Sequence, residues 1–243
     1  VVDVIVALED HLPRTGEDVH VRRQHMSLGG CAYNVSDSIR HFQVPYTLFS
    51  PVGTGIYGHF VREELKKRGI VSPIPTPDRE NGCCYCFVES SGERTFISYH
   101  GAEYLFQKEW IEALPVEEID TVYICGLEIE ETTGPFIVDF LEQNPQLNIF
   151  FAPGPRLTVI DPALLKRIYQ LSPILHLNET EALDVTQADT ISQAAACLYE
   201  KTNNTVIITL GEKGCFYFDG ATQEIIPPVP CHQADTIGVG DSH

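Results

Sequence analysis

Near its end the chain reads ADTIGVGDSH from Ala234 to His243, setting Gly238 and Gly240 just ahead of the carboxylate of Asp241. Glycine lets a ligand come close to the main chain. Asp235 and Thr236 are good turn or helix-cap residues. If a helix begins here, its unpaired N–H groups form an anion site with Asp241 at the rim. Backbone N–H groups from Gly238 through Val239 and Gly240 to Asp241, beside a base, are what phosphoryl transfer to a hydroxyl needs. Taken alone, the stretch reads as readily as a Gly-rich turn with a solvated aspartate.

Other residues could bind rather than react. Gly29 and Gly30 open the stretch GGCAYNVSDSIRHFQVPYTLFSPVG and are followed by Asn34, whose amide both donates and accepts. Asp3 interrupts the apolar run VVDVIVAL, and a buried carboxylate is costly unless paired or liganded. Glu128 follows a strand-like segment and reads either as a ligand-binding acid or as a solvated loop acid. Asn178 and Glu181 are three apart in NETE, so on a helical turn they share a side. The same spacing is that of an N-cap Asn with a capping Glu. Thr209, Gly211 and Gly214 fall in TLGEKG, and Arg156 in APGPR could reach phosphate but reads rather as one half of a structural ion pair.

The elements that must carry these groups follow from periodicity. Val1–Leu8 reads as a strand buried on both faces. Tyr46–Val52, Thr121–Cys125, Asn148–Phe151, Pro173–Leu177 and Thr205–Thr209 are further strand candidates. Helical spacing covers Tyr33–Phe42, Tyr57–Arg68, Thr132–Gln143, Pro162–Gln170 and Ile191–Lys201, with Gly69 a C-terminal stop. Strands alternating with helices imply a mostly parallel sheet that binds ligands at its C-terminal edge. Val19–Leu28, Cys83–Val88 and Arg94–Tyr99 break that rhythm. They are assigned to a small β-lid that would exclude water from the reaction. A hairpin used for dimerisation is a compatible reading.

Composition narrows the classes. With 243 residues the chain can fill one substantial core. A net charge of −18 argues against a basic face for nucleic acid. No apolar run is long enough for a membrane span, and no leader peptide is expected. The 8 cysteines lack paired C-x-x-C spacing, so reduced thiols are expected rather than zinc ligands.

Four motifs in order then resemble the ribokinase-like family, also called the phosphofructokinase B family of carbohydrate and nucleoside kinases. They are the Gly29–Gly30/Asn34/Ser36 opening with Gly53 downstream, NETE, TLGEKG, and the closing signature from Asp235 to Asp241. Gln43 and Val239 depart mildly from the family pattern. The resemblance implies an α/β, three-layer α/β/α fold with a mostly parallel central sheet and β-lid segments at about 11–28 and 83–100. It implies one domain spanning 1–243, incomplete at both ends, because the family continues beyond its final Asp. The implied activity is transfer of the γ-phosphate of ATP to a hydroxymethyl group of a sugar, or, in a close variant, of a nucleoside. A non-catalytic sugar- or nucleotide-binding homologue is the rival reading. The implied roles are Asp241 as general base with the 238–241 backbone as anion hole, and Asp3, Gly29, Gly30, Asn34 and Glu128 on the sugar. Asn178, Thr209, Gly211 and Gly214 would line the nucleotide, with Glu181 acting on Mg²⁺ through water. A monovalent cation such as K⁺, a homodimer through the lid and a cytoplasmic setting complete the expectation.

Overall fold

The computed structural model describes residues 1–230, 238 and 240–243. Its contacts separate into two units, Val1–Leu105 with Asp241–His243, and Phe106–Gly240.

The first unit is built on β1 (Val2–Leu8), β2 (Val21–Leu28), α1 (Cys31–His41), α2 (Gly55–Lys67), β3 (Cys83–Val88) and β4 (Arg94–Tyr99). Its sheet has the order β2-β1-β3-β4. Only the β1–β3 pairing is parallel; β2 and β4 run antiparallel to their neighbours. Val2, Val4, Val6 and Leu8 are buried, while Asp3, Ile5 and Ala7 between them are only half-buried. This corrects the reading of Val1–Leu8 as a strand covered on both faces: the period of two puts the valines into the core and Asp3 on the opposite face. The core formed by that buried face includes Leu48, Val52, Val61, Leu65 and Cys83. The segments 19–28 and 83–99 do share one sheet. They reach it through β1 rather than by pairing with each other.

Tyr46–Val52, expected as a strand, pairs in no ladder. Pro45 precedes it and Pro51 lies within it, and each lacks the N–H that a ladder requires. Side chains hold it instead: Leu48 and Val52 are buried, and the Ser50 carbonyl accepts from the Ser72 hydroxyl at 3.0 Å. In this unit α1 and α2 each begin two residues earlier than expected and end one earlier. Gly69 ends α2 with φ +72° and donates to the Lys66 carbonyl at 3.0 Å, a C-terminal stop of the expected kind.

In the second unit α3 (Lys108–Glu112), β5 (Thr121–Cys125), α4 (Gly126–Glu130), α5 (Gly134–Gln143), β6 (Asn148–Ala152), α6 (Pro162–Gln170), β7 (Ile174–Asn178), α7 (Glu179–Thr186), α8 (Ile191–Thr202), β8 (Val206–Thr209), β9 (Cys215–Phe218) and β10 (Gln223–Ile226) follow in turn. The sheet order is β10-β9-β8-β7-β6-β5. Strands β5 to β8 are parallel, and β9 and β10 add an antiparallel edge. From Ile149 to Ala152 and from Ile174 to Leu177 no residue is exposed, so both faces of these strands are covered, as in a helix-flanked parallel sheet. Asp161 caps α6 by accepting from the Ala163 N–H at 2.8 Å. Proline at the first position of α6 fixes the starting φ without losing a hydrogen bond. The antiparallel edge went unread, because β9 and β10 are short and the second is exposed throughout.

Among the described residues no helix is long and apolar enough to cross a membrane, and the described cysteines are free thiols. Phe151, on the second interior strand, is fully buried. Phe151→Ala is expected to lower unfolding free energy by about 3–5 kcal/mol, read from the shift in urea midpoint at unchanged slope.

Candidate active site

In the first unit the chain brings five of the expected binding or reacting residues together. Asp3 sits on β1. Gly29 follows β2 and is tied back by its N–H to the Val1 carbonyl at 3.1 Å. A Cβ built on Gly29 would lie 1.9 Å from Oδ2 of Asp3, so the carboxyl rests directly against the Gly29 main chain and no side chain fits between. Gly30 then enters α1 with φ +89°, a conformation that only glycine adopts freely. Asn34 lies in the first turn of that helix, and its amide donates to Oδ2 of Asp241 at 2.8 Å. Asp241 is thus seated on a residue more than two hundred positions earlier.

Burial raises the Asp3 carboxyl above its ordinary value, and the negative charge of Asp241 pushes the same way. Two carboxyl groups that feel each other, with one amide on the second, form a site rich in acceptors. Such a site suits a ligand made of hydroxyl donors. Cys84 and Ser98 were not foreseen. They stand on β3 and β4 in line with Asp3, and no sequence signal gives the strand register that aligns them.

In the second unit Glu128, Asn178, Glu181, Thr209, Gly211 and Gly214 fall at or just after strand ends. Glu128 is in α4, directly after β5. Burial raises its carboxyl, against the opposing effect of the Cys125 thiol, which donates to Oε2. Asn178 ends β7 and is in register with Thr209, which ends β8. Asn178 and Glu181 form a reciprocal cap on α7: the Asn side chain accepts from the Glu181 N–H at 2.8 Å, and Oε2 of Glu181 accepts from the Asn178 N–H at 3.0 Å. The cap geometry left open by the spacing is therefore present. After Thr209 the chain makes a tight turn in which the Leu210 N–H donates to the Gly214 carbonyl at 2.8 Å. A side chain on Gly214 would meet the Ile226 carbonyl, whereas Gly211 faces open space. Arg156 is in an ion pair with Glu130, its Nε donating at 2.6 Å, as expected of a structural arginine.

Gly238 has φ +70° and Gly240 is exposed. Val239, with Asp235 and Thr236, lies outside the described residues, so the geometry of the expected anion hole is not assembled from them.

The model of the pfkB family of carbohydrate kinases matches residues 1–243. The chain belongs to that family. It is a carbohydrate kinase, and its relatives carry corresponding names. A protein of Escherichia coli (strain K12) described as an uncharacterized sugar kinase, YegV, is 32% identical over 247 residues, covering 100% of this chain and 77% of its own length. The ribokinase of Mus musculus is 28% identical over 248 residues, covering 98% and 75% respectively. Among solved structures, the ribokinase of Thermotoga maritima superposes with a TM-score of 0.80 at 20% identity, covering 99% of this chain and 79% of the other. The ribokinase of Giardia lamblia gives 0.81 at 20% identity, covering 99% and 76%. These likenesses establish the ribokinase-like α/β fold for the kinase.

Two outcomes follow. Asp3→Asn removes a carboxylate whose charged form burial disfavours, so this variant is expected to melt above the wild type at neutral pH. In the wild type the folded state binds the Asp3 proton more tightly than the unfolded chain does. Its stability therefore rises as pH falls through the raised value toward the ordinary carboxylate range, and the advantage of Asp3→Asn shrinks in step. Thermal melts across that range check both the sign and the convergence. For the cap, Asn178→Ala is expected to cost about 0.5–2 kcal/mol of stability, with Asn178→Ser recovering most of it, measured by denaturant unfolding.

Proposed function

We propose that this kinase transfers the γ-phosphate of ATP to a hydroxymethyl group of a sugar, with Asp241 as general base. One observation carries the reading: the Asp241 carboxylate is held by Asn34 at 2.8 Å in the same unit as Asp3, whose carboxyl rests against Gly29. Asp3, Gly29, Gly30 and Asn34 would bind the acceptor hydroxyls. Asp241 would take the proton of the attacking hydroxyl as the new P–O bond forms and the bond to the nucleotide breaks. Glu128 would add an acceptor. The backbone N–H groups of Gly238, Val239, Gly240 and Asp241 would stabilise charge on the transferring group. The E. coli relative, described as a sugar kinase, favours a sugar over a nucleoside as acceptor.

The edge residues of the second unit fit a nucleotide. Gly211 has open space where a side chain would otherwise stand, and Asn178 and Thr209 lie side by side at the strand ends. With Gly214 closing the turn, these residues would hold ATP, which supplies the phosphoryl group. Glu181 spends Oε2 on the α7 cap. From that position Glu181 would act through water on Mg²⁺, which neutralises phosphate charge when bound. K⁺ as an activator, a cytoplasmic setting and a homodimer through the lid belong to the same proposal. The dimer is supported by Phe96, Ile97 and Tyr99 on β4, each more than half exposed.

Asp241→Asn keeps shape and the contact to Asn34 while removing the basic site. Turnover is expected to fall by about 10²–10⁴-fold with little change in affinity for ATP or sugar, measured by steady-state kinetics and calorimetry on the intact protein. Retention of more than about a third of wild-type turnover, with chemistry shown to be rate-limiting, would assign the base elsewhere.

A further inference from the structure

Two strand-to-helix turns of the second unit share one spacing and use it differently. Between β7 and α7 the cap residue Asn178 and the acid three positions on, Glu181, exchange reciprocal bonds. Between β5 and α4 the cap residue is Cys125 and the acid three positions on is Glu128. The Cys125 side chain takes no bond from an N–H of the helix. Its thiol donates instead to Oε2 of Glu128. The main-chain N–H groups of Cys125 and Glu128 also favour the charged carboxyl. A Ser, Thr, Asp or Asn in the cap position accepts from the helix; this cysteine gives to the acid. The main chain of the turn is set by other means. A Cβ on Gly126 would lie 2.1 Å from the Pro153 carbonyl oxygen, and one on Gly134 2.1 Å from that of Ile129. The segment from Gly126 to Gly134 is thereby pressed against backbone at both ends, and Ile129 between them is buried. Placing the helix does not require the thiol, which leaves it the placing of the carboxyl.

We propose that Cys125 is a positioning residue for phosphoryl transfer, its thiol holding the Glu128 carboxyl in the orientation that receives a hydroxyl of the acceptor. The inference rests on the sugar-kinase reading, in which Glu128 adds an acceptor, and names what aims that group. Cys125 is 3% exposed, so packing fixes its own rotamer and gives the bond to Glu128 a direction. A glutamate side chain has several torsions to restrain, and each one left loose lowers the share of time its carboxyl spends in a binding orientation. The thiol also acts on charge. Burial raises the Glu128 carboxyl and the Cys125 thiol opposes that rise. The bond therefore favours the ionised form, which is the stronger acceptor of a hydroxyl proton. A thiol is a weak donor, so it orients the carboxylate without quenching it as an acceptor.

The test uses the intact protein with ATP and with D-ribose, 2-deoxy-D-ribose, D-fructose and D-glucose as probes. Cys125→Ala and Cys125→Val are expected to raise KM for the best of these sugars by about 3- to 10-fold. Turnover and KM for ATP should stay close to wild type, and Cys125→Ser should recover most of the loss. Thermal melts show which variants are folded, and Cys125→Val fills the space of the thiol should Cys125→Ala not fold. Each substitution is then repeated in a Glu128→Ala background. A residue that acts through Glu128 should add almost nothing there, whereas one that merely supports the fold should cost the same factor in both backgrounds. The pH profile gives a separate readout. Removing the thiol removes an influence that lowers the Glu128 carboxyl. The rise in KM on acidification, as Glu128 takes up its proton, should therefore begin at higher pH in Cys125→Val than in the wild type. The titratable groups on the elements packed against α4 are the same in both proteins: Tyr123 on β5, Glu130 paired with Arg156, and Asp139 and Glu142 paired with Arg167. No loss in the folded Cys125 variants, equal losses in both backgrounds, an unmoved pH profile, or Cys125→Ser no better than Cys125→Val overturns this inference and leaves the kinase reading standing. An unchanged KM in Glu128→Ala does the same. Absence of turnover with every sugar overturns both.

Discussion

The site in the first unit depends on one close approach, the Asp3 carboxyl lying against the main chain of Gly29. A Cβ at that glycine would sit within bonding distance of the carboxylate oxygen. The two residues therefore constrain each other, and through them the end of β2, the entry into α1 and the position of Asn34 are all fixed relative to β1. Burial makes the arrangement costly for the charged carboxyl, and the nearby Asp241 adds to that cost. A site in this state improves when hydroxyl donors arrive. Strain of this kind is what a binding site carries when it is shaped for a ligand rather than for stability.

The second unit positions its residues differently. Parallel strands deliver their C-terminal ends to one edge, and each crossover to a helix starts there. Asn178 and Glu181 show how such an edge begins a helix. The reciprocal cap satisfies N–H groups at the start of α7, which a helix needs whether or not a ligand is present. It also fixes both side chains where the strand ends converge. A cap and a ligand-organising pair share one geometry, and that is why spacing alone left the two readings open.

Much was legible in advance. The closing Gly-Gly-Asp signature, the Gly29–Gly30 pair and the two loop motifs appear in order, and membership of the pfkB carbohydrate kinases follows over the whole chain. Period-3.6 patterns located α1, α2, α6 and α8 to within a few residues, and α2, α6 and α8 each bury residues along one side. Two strand readings failed for physical reasons. The run VVDVIVAL is apolar at nearly every position, so its composition hid an alternation in which Asp3, Ile5 and Ala7 face away from the core. Tyr46–Val52 has strand-like residues, but prolines at Pro45 and Pro51 withhold ladder donors, and burial of Leu48 and Val52 does not require a ladder.

By itself the sequence determined which groups the chain carries and in what order: an aspartate in the first strand, a glycine pair, an Asn, and a final carboxylate after two glycines. It did so because backbone demands such as positive φ, helix caps and close approaches are local and leave residue-type signatures. Tertiary structure alone decided which of those groups meet. The placing of β1 between β2 and β3, the bond from Asn34 to Asp241, and the row from Ser27 through Asp3 and Cys84 to Ser98 are set by strand register and long-range packing. A shift of one residue in register would turn Cys84 to the opposite face without altering a single letter of the sequence.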